Sequence, residues 1–330
     1  MVSYLIRRLM YMVITLLVVS VVAFVIIQLP PGDYLTSYIM QLESTGLKVN
    51  EAQVASLRKQ YDLDLPIYLQ YFKWVWKMLH GNFGRSFGWD RPVTDLLAER
   101  LPFTMMLSFC SIIFIYVVAI PIGIYSATHQ YSVGDYIFTT IGFIGLAIPN
   151  FLLALVLMFL FYKYFGLSIG GLFSSQYKTA PWSLDKFIDM INHMWIPIIV
   201  IGTAGTAGLI RLIRGCLLDE LEKQYVVTAR VKGLSERVLL FKYPVRVAII
   251  PEISTIGWWL PTIFSGETIT AIVLNLPTTG PLLYEALINQ DMYLAGSVVM
   301  ILSFLTVIGT FLSDILLVWF DPRIRYEKGA

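Results

Sequence analysis

Residues 219–251 read DELEKQYVVTARVKGLSERVLLFKYPVRVAIIP, a charged, helix-forming stretch set between long apolar runs. A chain whose flanks belong in lipid has little reason to hold such an insert unless it presents it to something in water. Within 217–233, Leu217, Leu221, Tyr225, Thr228 and Ala229 recur at helical spacing and make one apolar face, while Glu220, Lys223, Arg230 and Lys232 point elsewhere. Gly233 falls where a helix end needs left-handed backbone. Ser235 is placed to cap a second helix that opens with Glu236. The pattern predicts a short helix, a sharp turn and a second helix returning toward the membrane at Pro244. Such a stub can seat in a groove of a partner and pass on a push. A solvated connector would account for the charge, but not for the apolar face, the glycine turn and the return helix together.

Outward from this segment the composition is that of a lipid-embedded chain. Of 330 residues, 57% are hydrophobic and 14% charged, against roughly a quarter charged in soluble domains. Six apolar runs approach the length a bilayer core requires, at 9–29, 102–128, 137–165, 194–214, 247–275 and 292–319. The expectation is an all-α membrane protein with six transmembrane helices, its surface in contact with membrane lipid. The first run is too long for a signal-peptide core and lacks a small-residue cleavage site, so it reads as a retained span. The fifth is interrupted by Pro251, Glu252, Pro261 and Glu267 and reads as kinked or partly re-entrant. A net charge of +2 with dispersed Lys and Arg argues against nucleic acid as a partner. Cys110 and Cys216 lack CxxC spacing and read as two small buried side chains.

Basic residues near the span ends set the orientation. Arg7 and Arg8 precede the first run; Arg211, Arg214, Lys223, Arg230, Lys232, Arg237, Lys242 and Arg246 follow the fourth; Arg323, Arg325 and Lys328 close the chain. With six spans these regions share one side, which should be the cytosol, so both termini are expected inside a plasma (inner) membrane. The segment 31–100 holds eight basic and eight acidic residues but is long enough to be exempt from the rule. The chain then divides into a cytosolic N-terminus with the first span at 1–30, an extracytoplasmic loop region at 31–100, a permeation core at 101–320 that includes the inner loop 217–246, and a cytosolic tail at 321–330. Within the outer loop, Val54–Leu57 and Leu65–Leu79 are amphipathic, with Tyr68, Tyr71, Phe72, Trp74 and Trp76 forming an aromatic belt. That loop is expected to be partly helical, either anchored at the membrane interface or serving as a ligand platform.

Several residues inside the runs carry two readings. Glu267 is a polar gate or cargo contact, or an interfacial carboxylate with access to water. Glu252 reads as an entrance carboxylate able to pair with Arg246 or a partner subunit. Trp258 and Trp259 line a route through the membrane or fill a seam between two subunits, and Pro149-Asn150 fits a kink with a polar lining residue. Gly202, Gly205 and Gly208 with Ala204 and Ala207 give the fourth run a small-residue surface for close helix approach. Gly84-Arg-Ser86-Phe-Gly88 matches the G-x-S-x-G nucleophile pattern with His80 close by, but a mainly helical loop offers no strand-turn-helix scaffold for a serine hydrolase. A secondary transporter would be expected to show inverted repeats and buried ion-coupling carboxylates. No convincing internal repeat is visible and the acidic residues within the runs are few. No Gly-x-x-x-x-Gly-Lys-Ser/Thr loop occurs, so the chain has no phosphate cradle of that kind. No catalytic residue and no metal site are assigned.

The stretch Tyr225-Val-Val-Thr-Ala-Arg-Val-Lys-Gly233-Leu-Ser235 resembles the cytosolic EAA-type coupling motif of ABC importer permeases, in the version of the oligopeptide/dipeptide/nickel group. Three further stretches resemble the first permease subunit of that group. These are Tyr4-Leu-Ile-Arg7-Arg8-Leu9 leading to Leu29-Pro-Pro-Gly32-Asp33, then Tyr61-Asp-Leu-Asp-Leu-Pro66 with Gly81-Asn-Phe-Gly84-Arg-Ser86-Phe87, and Asp314 with Phe320-Asp321-Pro322-Arg323-Ile324-Arg325. Val227 stands where the glutamate that names the motif would be, and Pro277-Thr-Thr-Gly280 where the group has Pro-Gly-Leu-Gly. The resemblance implies a type I ABC importer permease fold. It also implies a second homologous permease subunit, two ABC ATPase subunits that carry ATP and Mg, and an extracytoplasmic solute-binding protein. It places the ATPase contact on Leu221, Tyr225, Thr228, Ala229, Arg230, Lys232, Gly233, Leu234, Ser235 and Glu236, while the residues inside the apolar runs suggest a pathway at Asn150, Trp258, Trp259 and Glu267. The implied cargo is a short oligopeptide. The alternative is a β-linked oligosaccharide, because Gly166-Leu-Ser-Ile-Gly-Gly-Leu172 and Ala180-Pro-Trp182 resemble members associated with sugar uptake.

Overall fold

A computed structural model describes residues 2–28, 59, 64–167, 169–252 and 268–320. The segments Leu29–Asp33, Val54–Leu57 and Asp321–Arg325, and residues Trp258, Trp259, Pro261 and Glu267, lie outside the described residues. Twelve helices account for most of the described residues: α1 (Val2–Gln28), α2 (Ile67–Leu79), α3 (Val93–Thr128), α4 (Val133–Ala147), α5 (Asn150–Phe165), α6 (Leu184–Leu221), α7 (Gln224–Val231), α8 (Glu236–Lys242), α9 (Pro244–Ala248), α10 (Thr268–Val273), α11 (Thr279–Ile288) and α12 (Met292–Phe320). The extended pairing among the described residues is an isolated antiparallel bridge between Arg85 and Pro92.

Among the described residues four helices, α1, α3, α6 and α12, are long and apolar enough to cross a membrane, and a fifth crossing results if α4 and α5 count as one. The third apolar run was expected as one span with a kink at Pro149-Asn150; it is two helices, bent by 104° at a short break there. Pro149 explains the break: its ring pushes Ile148 into extended backbone at φ −88°, ψ 120°, and helix resumes at Asn150. The fourth run was expected to end at 214, but α6 continues to Leu221, so Arg211 and Arg214 are helical rather than in a loop. Of the fifth run only its two flanks are described, through Glu252 and from Thr268.

The chain divides into two compact units, the first formed by Met1–Pro102 with Thr278–Val307. In it, α2 packs on the last turns of α1. Ser20 and Tyr71 share a hydrogen bond of 2.7 Å, and the Phe24 ring meets Tyr71 and Trp74. The outward face of α2 presents Tyr68, Phe72 and Trp76. Val93, Leu96 and Leu97 of α3 pack with Leu282 and Ala286 of α11 and Leu294, Ala295 and Val298 of α12.

The second unit holds Phe103–Pro277 with Ile308–Ala330. Its largest core joins Leu107 of α3, Ala154 of α5, Met190, Met194 and Val200 of α6, and Ala271 and Leu274 at α10. Ser183 caps α6 by accepting the Lys186 N–H at 3.2 Å. Close helix approach is evident at Gly202 of α6 and at Gly145 of α4, and not at Gly208. A Cβ on Gly202 would lie 2.6 Å from Phe114 of α3, and one on Gly145 of α4 would lie 2.9 Å from Thr203. Gly208 faces open space, with nothing within 4 Å of such a Cβ. Cys110 and Cys216 are half-buried thiols with no disulfide.

Candidate functional site

The segment from Lys223 to Ala248 folds as a hairpin of three short helices. The periodicity predicted one helix through 217–233. Instead α6 stops at Leu221, Glu222 caps it, and α7 starts afresh at Gln224. The break changes which side chains face inward. Val226 and Leu239 are fully buried and pack with Ala229, Leu234 and Tyr243 to form a small core of the hairpin's own. Leu217 and Leu221 belong to a separate core with Ala127 of α3, Leu240 of α8, and Val245 and Ala248 of α9. The predicted single face is therefore split between two cores.

The turn between α7 and α8 follows from one glycine. Gly233 sits at φ +80°, donates to the Arg230 carbonyl at 3.0 Å, and is followed by Leu234 donating to the Ala229 carbonyl at 3.4 Å. These two bonds satisfy carbonyls that α7 would otherwise leave open, and Leu234 covers the helix end with an apolar contact. Ser235 occupies the cap position of α8 in extended backbone, without a side-chain cap bond. Across the turn, Arg230 Nε donates to Glu236 Oε1 at 2.6 Å and Nη2 to Oε2 at 3.1 Å. The guanidinium holds the Glu236 carboxyl below the ordinary carboxylate range. Tyr225 donates its hydroxyl to Glu220, and burial together with that bond pushes its phenol up.

The outer face is left to Tyr225, Val227, Thr228, Arg230, Val231 and Lys232, with Val231 83% exposed. Of the sequence-predicted contact residues, Tyr225, Thr228, Arg230, Lys232, Gly233, Ser235 and Glu236 are exposed, Leu221 and Leu234 are half-buried, and Ala229 is turned inward. Val226 was missed. Its signal was its spacing of three from Ala229, obscured by reading the pattern through the break.

Asn150 opens α5 directly after the bend and is half-buried. Glu252 is buried and accepts a hydrogen bond from Tyr116 of α3 at 2.8 Å. Trp258, Trp259 and Glu267 are not among the described residues. Sequence reasoning also passed over a partly buried ion pair, Asp135 of α4 with Arg214 of α6, at 2.9 Å. Two signals could have found it. Ser132-x-x-Asp135 is a helix-start pattern, and an arginine at the end of an apolar run asks for an opposite charge.

The profile of the family described as binding-protein-dependent transport system inner membrane component matches residues 119–326, and the profile of its N-terminal portion matches residues 1–108. The chain is 34% identical, over 99% of its length and 100% of the relative's, to the oligopeptide transport system permease protein AppB of Bacillus subtilis. It is 31% identical to the inner membrane ABC transporter permease protein YejB of Escherichia coli O157:H7, over 98% of this chain and 99% of that one. It is 28% identical to the dipeptide transport system permease protein DppB of Escherichia coli K12, over 99% of this chain and 100% of that one.

Proposed function

The chain belongs to the family of binding-protein-dependent transport system inner membrane components, the permeases of ABC importers, and on that premise we propose that it forms half of the pathway of an ATP-driven importer of short oligopeptides. The observation that carries the mechanism is the hairpin Lys223–Ala248, with its own small core and an outer face of Val227, Thr228, Val231 and Arg230. A rigid stub with an exposed apolar and cationic face is suited to sit in a groove of an ATPase subunit. ATP and Mg would be bound there, since this chain lacks a phosphate cradle.

In this reading two ATPase subunits close on ATP, the hairpin rides with them, and this chain with a second, homologous permease opens outward to a loaded solute-binding protein. Hydrolysis resets the pathway. Six spans with both termini in the cytosol put the hairpin on the ATPase side, and the basic residues Arg230, Lys232, Arg237, Lys242 and Arg246 support that side. Asn150, Trp258, Trp259 and Glu267 are the proposed pathway residues. The peptide cargo is supported by relatives named for oligopeptide and dipeptide transport. None of these names supports the oligosaccharide alternative.

Purification under mild detergent with its neighbouring subunits co-expressed tests the reading, followed by reconstitution with labelled peptide and a candidate binding protein. Co-purification of ATPase subunits and ATP-dependent peptide uptake are expected. A chain that purifies alone and transports along an ion gradient overturns it.

A further inference from the structure

Two charged side chains outside the hairpin join α4 to α6, the helix that leads into it. Asp135 lies in the first turn of α4, and Arg214 lies about two turns before the end of α6. Arg214 Nε donates to Asp135 Oδ1 at 3.0 Å and Nη2 to Oδ2 at 2.9 Å, a two-pronged pairing. The same carboxylate accepts the Tyr131 N–H at 3.0 Å and the Thr139 hydroxyl at 3.3 Å. Asp135 is 3% exposed, so water is no substitute partner.

The corner that carries Asp135 is stiff. Ser132 caps α4 by accepting the Asp135 N–H at 3.1 Å, and Tyr131 is held at φ +62°. Tyr125 lies over the corner so closely that a Cβ on Gly134 would come within 2.6 Å of its hydroxyl, and its ring stacks on His129 with centroids 4.6 Å apart. On the α6 side, Ile213 lies against α3 where a Cβ on Gly123 would be 2.9 Å away. Leu217, one turn beyond Arg214, sits in the core that holds α9 of the hairpin. A displacement of the hairpin is therefore delivered through α6 to Arg214, and the corner around Asp135 has little slack with which to absorb it.

We propose that the Asp135–Arg214 pair is the latch that makes α4 follow the hairpin during transport. Both are positioning residues: they act through the helices they join. The proposal rests on the reading of the hairpin as the ATPase contact and adds how its motion reaches the helix that leads into the 104° bend.

The test uses the assembled transporter in proteoliposomes, comparing the wild type with Asp135→Asn, Arg214→Gln and the conservative Arg214→Lys. Peptide moved per ATP hydrolysed is expected to fall roughly ten-fold in the first two and less in Arg214→Lys, with hydrolysis itself retained. Unchanged peptide per ATP in a variant that assembles overturns the proposal. Failure of all three variants to assemble with the ATPase subunits overturns it as well, because the pair would then serve folding alone. Amide hydrogen exchange over 129–139 gives a readout independent of uptake. ATPase binding is expected to slow it in the wild type and not in Arg214→Gln, and equal slowing in both overturns the latch. A wild-type complex that hydrolyses ATP without moving peptide counts against the proposed cargo, and the exchange comparison still decides the latch.

Discussion

The hydroxyl of Ser86 donates to the carboxylate of Asp291 at 2.5 Å, joining a loop to the start of α12 across 205 positions of chain. The same Oδ2 accepts the Gly88 N–H at 3.1 Å, while Oδ1 accepts the Leu294 N–H at 3.1 Å and so caps α12. Ser86 is fully buried, and its hydroxyl also accepts the Trp89 N–H at 3.2 Å. The serine of the G-x-S-x-G match is thus a clamp, bonded to a carboxylate and closed to solvent. Ser86→Ala should destabilise the protein by about 1–3 kcal/mol, because it strips a donor from a buried carboxylate. Thermal unfolding of the purified variant measures this, and a variant as stable as the wild type would refute the clamp.

Asp291 should also leave a mark on the pH dependence of stability. Burial pushes its carboxyl above the ordinary range, against the opposing hydrogen bonds from Ser86, Leu294 and Gly88. A raised folded-state pKa means that the folded protein holds the proton more tightly than the unfolded chain does. The associated stability is then complete below about pH 4, the unfolded value, and is lost as pH rises through the raised one. Asp291→Asn cannot titrate. The stability difference between wild type and this variant should therefore shift steadily in favour of the variant as pH increases over that window, as read from unfolding midpoints across a pH series. A flat difference would contradict it.

Gly233 separates a strain effect from a coupling effect. Its φ of +80° is the whole requirement, since nothing lies within 4 Å of where a Cβ would stand. Gly233→Ala should cost roughly 1–2 kcal/mol of backbone strain and leave transport partly intact. Gly233→Pro cannot adopt that φ and also loses the bond to the Arg230 carbonyl. It should keep ATP hydrolysis while losing most uptake. Normal uptake in the proline variant would argue strongly against the hairpin's role.

The glycines of α6 predict opposite outcomes for the same substitution. Gly202→Ala drives a methyl to 2.6 Å from the Phe114 ring and should destabilise by about 1–3 kcal/mol as α3 and α6 are forced apart. Gly208→Ala meets nothing and should be neutral or stabilising by up to about 1 kcal/mol, through helix propensity. Unfolding midpoints of the two variants in detergent decide the matter.

Long-range hydropathy made α1, α3, α6 and α12 legible, because about 20 consecutive apolar residues leave few alternatives. Hydropathy is blind to direction, so the run from 137 to 165 read as one span; Pro149 marked the place of the kink but not its size of 104°. The break at Glu222–Lys223 had no such marker. Neither glycine nor proline stands there; the packing of Leu217 and Leu221 in one core and Val226 and Ala229 in another sets it. Reading periodicity across that break put Tyr225 on the inner face in place of Val226. The Gly233 turn was legible because a left-handed helix end has a local chemical signature. The Ser86–Asp291 clamp was not, since its two ends share no local pattern.

Val227, Val231, Val238 and Phe241 all stand exposed on the hairpin, among its charged side chains. On the proposed reading of the hairpin as the ATPase contact, a subunit synthesised in excess of its motor would carry these side chains bare, as an adhesive spot. Balanced production of the subunits is then a condition of solubility as well as of activity. An orphaned copy should clump or be degraded sooner than one already seated.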